Sequence, residues 1–218
     1  MITVVVNVYN GEQYIERCIN SLIIQTYRNI EIVIVVDGSK DRTAILIDNL
    51  AEKDARIKVY HTENKGIGGS RRFGLDQVHG DYLIFTDADD WVEPDYISAL
   101  YEAIVSQNAQ MAICAYIEEY GHNSKIANIE PHVNINDYTK DLLRGRTWAV
   151  VWNKLVKTSI VRDNHITFDK DIRYWEDVAF SVSYSLYCDK VAYVTKALYH
   201  YVKNNSQSLT ATEGVNIE

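Results

Sequence analysis

Tyr82-Leu83-Ile84-Phe85-Thr86-Asp87-Ala88-Asp89-Asp90-Trp91 joins a short apolar run to three carboxylates within four residues. Bounded by Gly80 and Asp81, the run reads as a buried strand. Carboxylates crowded at the C-terminal end of a strand repel one another and resist desolvation, so they call for a cation. In open α/β sheets that end is also where ligands collect. Asp87 and Asp89 offer hard oxygen ligands suited to Mg²⁺ or Mn²⁺, with phosphate oxygens completing the shell. The residues alone leave a second reading open, in which Asp89 or Asp90 caps a helix beginning near Pro94.

Working back from this stretch, apolar strand patterns alternate with helical ones. Residues 3–8, 30–36 and 57–61 are short apolar or β-branched runs. Tyr14, Ile15, Cys18, Ile19, Leu22 and Ile23 recur at helical spacing between the first two. A second helix runs through Leu50, with Ser39 or Asp41 able to cap it, and a third runs from the glycine-rich residues 64–70 through Val78. Arg71 and Arg72 open that third helix, Arg71 in reach of a diphosphate and Arg72 solvated. The glycine spacing matches neither a P-loop nor a dinucleotide fingerprint. Four strand–helix alternations in about ninety residues imply βαβ units and a mostly parallel sheet. The turn after Val8, Asp37 and the Asp87/Asp89 pair then meet at one edge, where a doubly wound sheet binds nucleotides.

Composition bounds the alternatives. With 218 residues, 47% hydrophobic and 24% charged, the chain suits one globular domain with a full core. A formal net charge of −8 argues against a nucleic-acid surface. Cys18, Cys114 and Cys188 show no metal-ligand spacing, and Cys18 and Cys114 lie in apolar patterns, as buried thiols in a reducing compartment would. The opening residues lack the basic start and long apolar core of a signal peptide, and no apolar run approaches a membrane span. The expected location is cytoplasmic.

Several motifs in order make the reading specific. Val4-Val5-Val6-Asn7-Val8-Tyr9-Asn10, Gln25-Thr26-Tyr27, Glu31-Ile32-Val33 and Val36-Asp37-Gly38-Ser39-Lys40-Asp41 resemble the opening of inverting glycosyltransferases of family 2, which have the GT-A fold. Asn64-Lys65-Gly66, Arg71, Gly74 and Asp87-Ala88-Asp89-Asp90-Trp91 continue the resemblance in order. It implies an α/β GT-A domain with a nucleotide-sugar-binding half, residues 1–92, and an acceptor-binding half, residues 93–218. It also implies a nucleotide-binding set of Asn7, Tyr9, Asp37, Arg71, Asp87 and Ala88, with Asp37 on a uracil base. Asp89 would be the direct ligand of Mn²⁺ or Mg²⁺, assisted by Asp87. Asn7 replaces the family's usual proline, Val36 the first of its paired acids, and Arg72 a common asparagine.

Beyond Pro94, a helix over residues 97–104 and a strand over 111–116 precede a polar stretch, 121–136, with the character of a surface hairpin or loop over the site. Residues 137–143 and 148–155 suggest short helices. Trp148, Trp152, Asn153 and Lys154 precede Phe168, an order that resembles many bacterial members of the family, and Trp152 fits either the core or a sugar platform. Glu176-Asp177 begins a helix carrying Phe180, Val182 and Leu186, where acids favour the helix dipole. The resemblance makes it the Glu-Asp motif, with Asp177 the general base. Adjacent helical residues cannot face one direction, so one acid should serve structure and the other chemistry. Two strands, 191–195 and 198–202, would return His200 toward the site as a metal ligand, a phosphate contact or an ordinary strand histidine.

The implied reaction is metal-dependent, inverting transfer of a hexosyl or N-acetylhexosaminyl group from a nucleotide diphosphate sugar, with UDP favoured. The acceptor would be a hydroxyl of a glycan, glycolipid or glycoprotein. No nucleic-acid partner is expected, and association with the inner face of the cell membrane or with a second copy is compatible with the family. Family members often run longer than this chain, so a C-terminal acceptor or membrane-contact segment is expected to be absent. The departures at Asn7 and Val36 also fit a non-catalytic nucleotide-sugar-binding partner of another transferase. A nucleotidyltransferase would instead open with a glycine- and arginine-rich phosphate loop.

Overall fold

In a computed structural model describing residues 1–172, 174–203 and 205, the alternation unfolds in the expected order. It runs β1 (Ile2–Val8), α1 (Ile15–Ile23), β2 (Ile30–Asp37), α2 (Thr43–Ala51), β3 (Ile57–Thr62), α3 (Gly66–Asp76) and β4 (Tyr82–Asp87). There follow β5 (Trp91–Val92), α4 (Tyr96–Gln107), β6 (Met111–Tyr120), β7 (Asn123–Ala127), α5 (Ile135–Leu143) and β8 (Lys154–Lys157). The remaining elements are α6 (Thr158–Asp163), α7 (Glu176–Ser185) and β9 (Val191–Val202). The strands form one sheet in the spatial order β3-β2-β1-β4-β8-β6-β9-β5, with β7 paired to β6. β3, β2, β1 and β4 are parallel, and the chain reverses its direction of travel across the sheet between β1 and β4.

The first strands lack polar alternation because both faces are covered. Val4 and Val6 of β1 join Ile32 and Ile34 of β2 in one core, sealed by Ile15 and Cys18 of α1 and Leu100 of α4. Val5, Val33 and Val35 join Phe85, Phe168 and Phe180 in the core beneath the other face. All three cysteines are buried and unpaired. Among the described residues, no helix is long and apolar enough to cross a membrane.

Five local expectations are corrected. The glycine-rich stretch does not precede α3 but forms its first turn, so Arg71 and Arg72 lie mid-helix. Residues 148–155 are not helical: 148–153 is irregular, and β8 fills the gap between β4 and β6, where sheet pairing overrides the helical spacing of Trp148, Trp152 and Leu155. The expected strands 191–195 and 198–202 are one strand, its register against β6 slipping around Ala115 so that Thr195 and Lys196 stand out of the pairing. Neither Asp89 nor Asp90 caps α4, whose N-cap is Asp95. The strand expected over 111–116 runs on to Tyr120 as β6 and turns back as β7, so the polar stretch begins as the hairpin that was one of its two expected forms.

Candidate active site

The site begins at the reversal between β1 and β4. Asn7 is in register with Asp87 there, at the C-terminal ends of the two strands. The chain then leaves β1 through Asn10, left-handed at φ 50°. Its Oδ1 accepts from Lys40 N (2.8 Å), and Thr43 Oγ1 accepts from Gly11 N (2.8 Å), lacing the loops after β1 and β2 into one rim. Asp41 Oδ1 accepts from Thr43 N (3.0 Å), but the N-cap of α2 is Arg42, so neither Ser39 nor Asp41 holds the capping position expected of them. Tyr9 stands exposed on this rim, while Ala88 packs against the core.

Asp37 is buried at the end of β2, with Oδ1 accepting from Lys65 N (2.8 Å) and Thr62 Oγ1 (3.2 Å). Burial raises its carboxyl above the ordinary value, and the donors from Lys65 and Thr62 pull it back. Oδ2 takes neither bond. Asn7 Nδ2 donates to Ser70 Oγ (2.7 Å) of α3. Gly74, in the last turn of α3, permits this approach, since a Cβ there would lie 2.6 Å from Val5 Cγ1.

The close seating of α3 carries Arg71 inward. Its guanidinium is buried between two acids, Nη2 on Asp87 Oδ1 (2.9 Å) and Nη1 on Glu176 Oε1 (2.5 Å). Burial opposes its charge, and Asp87 and Glu176 more than restore it. Arg72 is exposed, as the sequence suggests. Burial raises the Glu176 carboxyl while Arg71 lowers it. Asp177, next in the chain, is only partly covered, with Oδ1 accepting from Val178 N (2.8 Å). Its charge reaches both Arg71 and the buried Lys154. The two acids therefore differ in setting, Glu176 buried against Arg71 and Asp177 partly exposed beside it.

Two more carboxylates close the cluster. Asp89 is raised by burial and by the charge of Asp87; its Oδ2 accepts from Asn205 Nδ2 (2.8 Å) and its main-chain oxygen from Arg17 Nη2 (2.8 Å). Asp90 is fully buried, accepting from Tyr199 Oη (2.7 Å) and Val202 N (2.8 Å), and burial with the charges of Asp89 and Asp87 raises it well above the ordinary range. Among the described residues, no cluster of three or more His, Cys, Asp or Glu side chains is arranged to hold a metal. The donor set fits an ion taking one or two carboxylates and filling its shell with phosphate and water, the habit of Mg²⁺ and of similar hard cations.

His200 is not available as a ligand. Its Nδ1 faces Glu119 Oε1 (2.8 Å), its Nε2 faces Glu93 Oε1 (3.0 Å), and its ring stacks on Trp91 at 3.4 Å. Trp152 belongs to the core, stacked on Tyr199 at 4.3 Å. Sequence reading missed Tyr199, which also accepts from Asp87 N (3.1 Å), as well as Arg17, Asn205 and Lys154. The only sequence signal among these was the Trp152-Asn153-Lys154 run.

Comparison with known proteins gives the family and the fold. The family description "Glycosyl transferase family 2" matches residues 3–164. EpsH of Bacillus subtilis is 34% identical over 207 residues, covering 92% of this chain and 60% of EpsH. The glycosyltransferase GlyA of Streptococcus pneumoniae is 34% identical over 225 residues, covering 97% of this chain and 32% of GlyA. The chain thus spans less than two thirds of either relative. S. aureus TarS 1–349 in complex with UDP-GlcNAc superposes with a TM-score of 0.82 at 23% identity, covering 94% of this chain and 59% of that one. The mannosyltransferase PcManGT of Pyrobaculum calidifontis, in complex with GDP-Man and Mn²⁺, superposes at 0.67 with 16% identity, covering 91% and 56%. Both share the GT-A arrangement of a mostly parallel sheet flanked by helices.

Proposed function

The chain belongs to glycosyltransferase family 2, and on that premise we propose that it transfers a sugar from a UDP-sugar to an acceptor hydroxyl, with inversion at the anomeric carbon. The observation that carries this reading is the Arg71 bridge, which ties Asp87 at the nucleotide crevice to Glu176 at the start of the helix bearing Asp177. The donor complexes of TarS and PcManGT support a nucleotide-sugar donor.

In this reading the uracil N3–H donates to Asp37, whose Oδ2 takes neither internal bond. Asn7, Tyr9 and Ala88 line the nucleoside and diphosphate path. Asp89, with Asp87, would hold Mn²⁺ or Mg²⁺, which neutralises the charge of a departing diphosphate. Asp177 takes the proton of the acceptor hydroxyl as its oxygen bonds to the anomeric carbon and the bond to the diphosphate oxygen breaks. The proton passes from Asp177 to solvent, and one in-line displacement inverts the centre, as at inverting glycosidases with water as nucleophile. Glu176 keeps Arg71, and through it Asp87, in position. The acceptor is a glycan, glycolipid or glycoprotein hydroxyl, the transferred group a hexosyl or N-acetylhexosaminyl unit, and the work cytoplasmic, at or near the membrane's inner face.

The test is a panel of nucleotide sugars incubated with the protein and Mn²⁺, followed by release of nucleoside diphosphate. Release from a UDP-sugar, abolished by Asp177→Asn, is expected. Nucleotide binding without turnover for any donor and acceptor would favour the non-catalytic partner, and release of pyrophosphate would point to nucleotidyl transfer.

A further inference from the structure

The irregular segment 148–153 is held more firmly than its lack of secondary structure suggests. The ammonium of Lys154, buried beneath it, donates to Trp148 O (3.0 Å), Val150 O (2.5 Å) and Asn153 Oδ1 (2.8 Å). Asn153 Nδ2 donates to Cys114 O (3.2 Å), and the Tyr96 hydroxyl donates to Trp152 O. The Ser181 hydroxyl donates to Ala149 O, and Ser181 lies one turn beyond Asp177 on α7. A stretch pinned at five of its six residues, one pin on the helix of the proposed base, is built to present something.

What it presents is Trp148. The indole is 42% exposed, whereas Trp152 is 3% exposed and committed to the core. Tyr116 and Tyr201 flank Trp148 with ring centroids at 5.7 and 6.3 Å. Lys203 brings an exposed ammonium to 5.8 Å from the Trp148 ring centroid and 4.7 Å from that of Tyr201. Tyr201 in turn lies within electrostatic reach of Asp87, Asp90 and Asp89, whose charges add to burial in raising its hydroxyl. An accessible aromatic surface and a hydrogen-bonding cation, beside the proposed reaction centre, are the two elements a pyranose needs: its C–H face stacks and its hydroxyls accept.

We propose that Trp148 is the platform for the acceptor's terminal pyranose, with Lys203 donating to its hydroxyls and Lys154 acting as a positioning residue that fixes the platform relative to Asp177. This rests on the transferase reading above and adds the acceptor subsite to it.

The test uses the full chain labelled with 5-fluorotryptophan, whose four ¹⁹F resonances are assigned by single Trp→Phe substitutions. The labelled protein, with UDP and Mn²⁺ present, is titrated with the methyl glycosides of glucose, galactose, mannose and N-acetylglucosamine. A saturable shift of the Trp148 resonance with at least one glycoside, and little change at Trp152, is expected. Saturation transfer from unlabelled protein to that glycoside should weaken about five-fold in Trp148→Ala and recover in Trp148→Phe. A Trp148 resonance unmoved by the whole panel overturns the proposal, as does unchanged glycoside binding in Trp148→Ala. UDP affinity is measured on the same samples by calorimetry. Absent UDP binding with the Trp148 shift intact counts against the transferase reading and leaves the sugar platform standing.

Discussion

Arg71 and Glu176, 105 positions apart in the chain, form a buried ion pair that ties α3 to the start of α7. The same guanidinium holds Asp87, so one cation neutralises an acid from each side of the site. Removing it strands two carboxylates. Arg71→Met should therefore destabilise the fold by about 3–5 kcal/mol, read from the urea midpoint. Glu176→Gln should cost less, because Arg71 keeps Asp87. Equal losses in the two variants would mean that the Asp87 contact contributes nothing.

Asp177 is expected to behave differently. Asp177→Asn should lower the urea midpoint much less than Arg71→Met, since the side chain is partly exposed and, among the described residues, its hydrogen bond goes to the adjacent amide. Turnover should fall by about 10²–10⁴-fold, the scale of lost general-base assistance. Single-turnover rates at saturating donor, with UDP affinity measured separately, check this. Near-normal turnover in Asp177→Asn beside an inactive Glu176→Gln would reverse the two roles.

The base contact has its own signature. A carboxylate accepts the N3–H of uracil but finds no matching donor at N3 of cytosine. UDP should bind more tightly than CDP by about 1–3 kcal/mol, and Asp37→Ala should erase the difference. Equal affinities in the wild type would remove Asp37 from that role.

Cation binding should register as stability. Asp89 is raised by burial and by Asp87, so its native state holds protons that the unfolded chain releases, and stability falls as pH rises from the ordinary carboxylate range. A divalent ion bound there offsets the loss. At about 100-fold over its dissociation constant, Mn²⁺ should add about 2.7 kcal/mol. For a chain of this size that is a rise in Tm of roughly 5–10 °C by calorimetry, larger at pH 7.5 than at pH 5. Asp89→Asn should abolish it. An undiminished rise in that variant would place the ion elsewhere.

Lys154 predicts a slope of opposite sign. Burial lowers its ammonium from 10.5 to about 7, with the charge of Asp177 working against the shift. Above pH 7 the unfolded chain binds a proton that the native state has released, so this residue makes stability rise with pH until both states are neutral near 10.5. Its share of the slope is at most about 1.4 kcal/mol per pH unit. Urea midpoints of the wild type and Lys154→Met, compared between pH 7 and pH 9, isolate it. Parallel curves would show that three accepting oxygens keep the ammonium charged throughout.

The parts legible in the sequence are those whose cause is local. β1, β2 and β4 read as strands because parallel strands covered on both faces leave uninterrupted apolar runs, and Asp37, Asp87 and Asp89 could be placed at strand ends for the same reason. Arg71 was set apart from Arg72 as the one in reach of a diphosphate, but its partners on β4 and α7 were not legible. What escaped depends on distant pairings. β8 is four residues long, and Trp148, Trp152 and Leu155 preceding or within it have helical spacing. Asp90 looked like a helix cap because its true partners, Tyr199 and Val202, are 109 and 112 positions away. His200 invited a metal because nothing in the sequence reveals that Glu93 and Glu119 claim both ring nitrogens.

The place of β8 in the sheet bears on how the protein moves. This short strand is hydrogen-bonded on one side to β4, which ends in the proposed donor acids, and on the other to β6, beside the proposed acceptor platform. Two lobes that clamp around a substrate need a compliant joint between them, and here the joint would have to tear a backbone ladder. Breathing as rigid jaws should therefore be costly for this molecule. In the proposed reaction, substrate exchange would fall to the rim loops after β1 and β2 and to side chains at the mouth, and the gap between sugar donor and acceptor would be set when the chain folds, not when it binds.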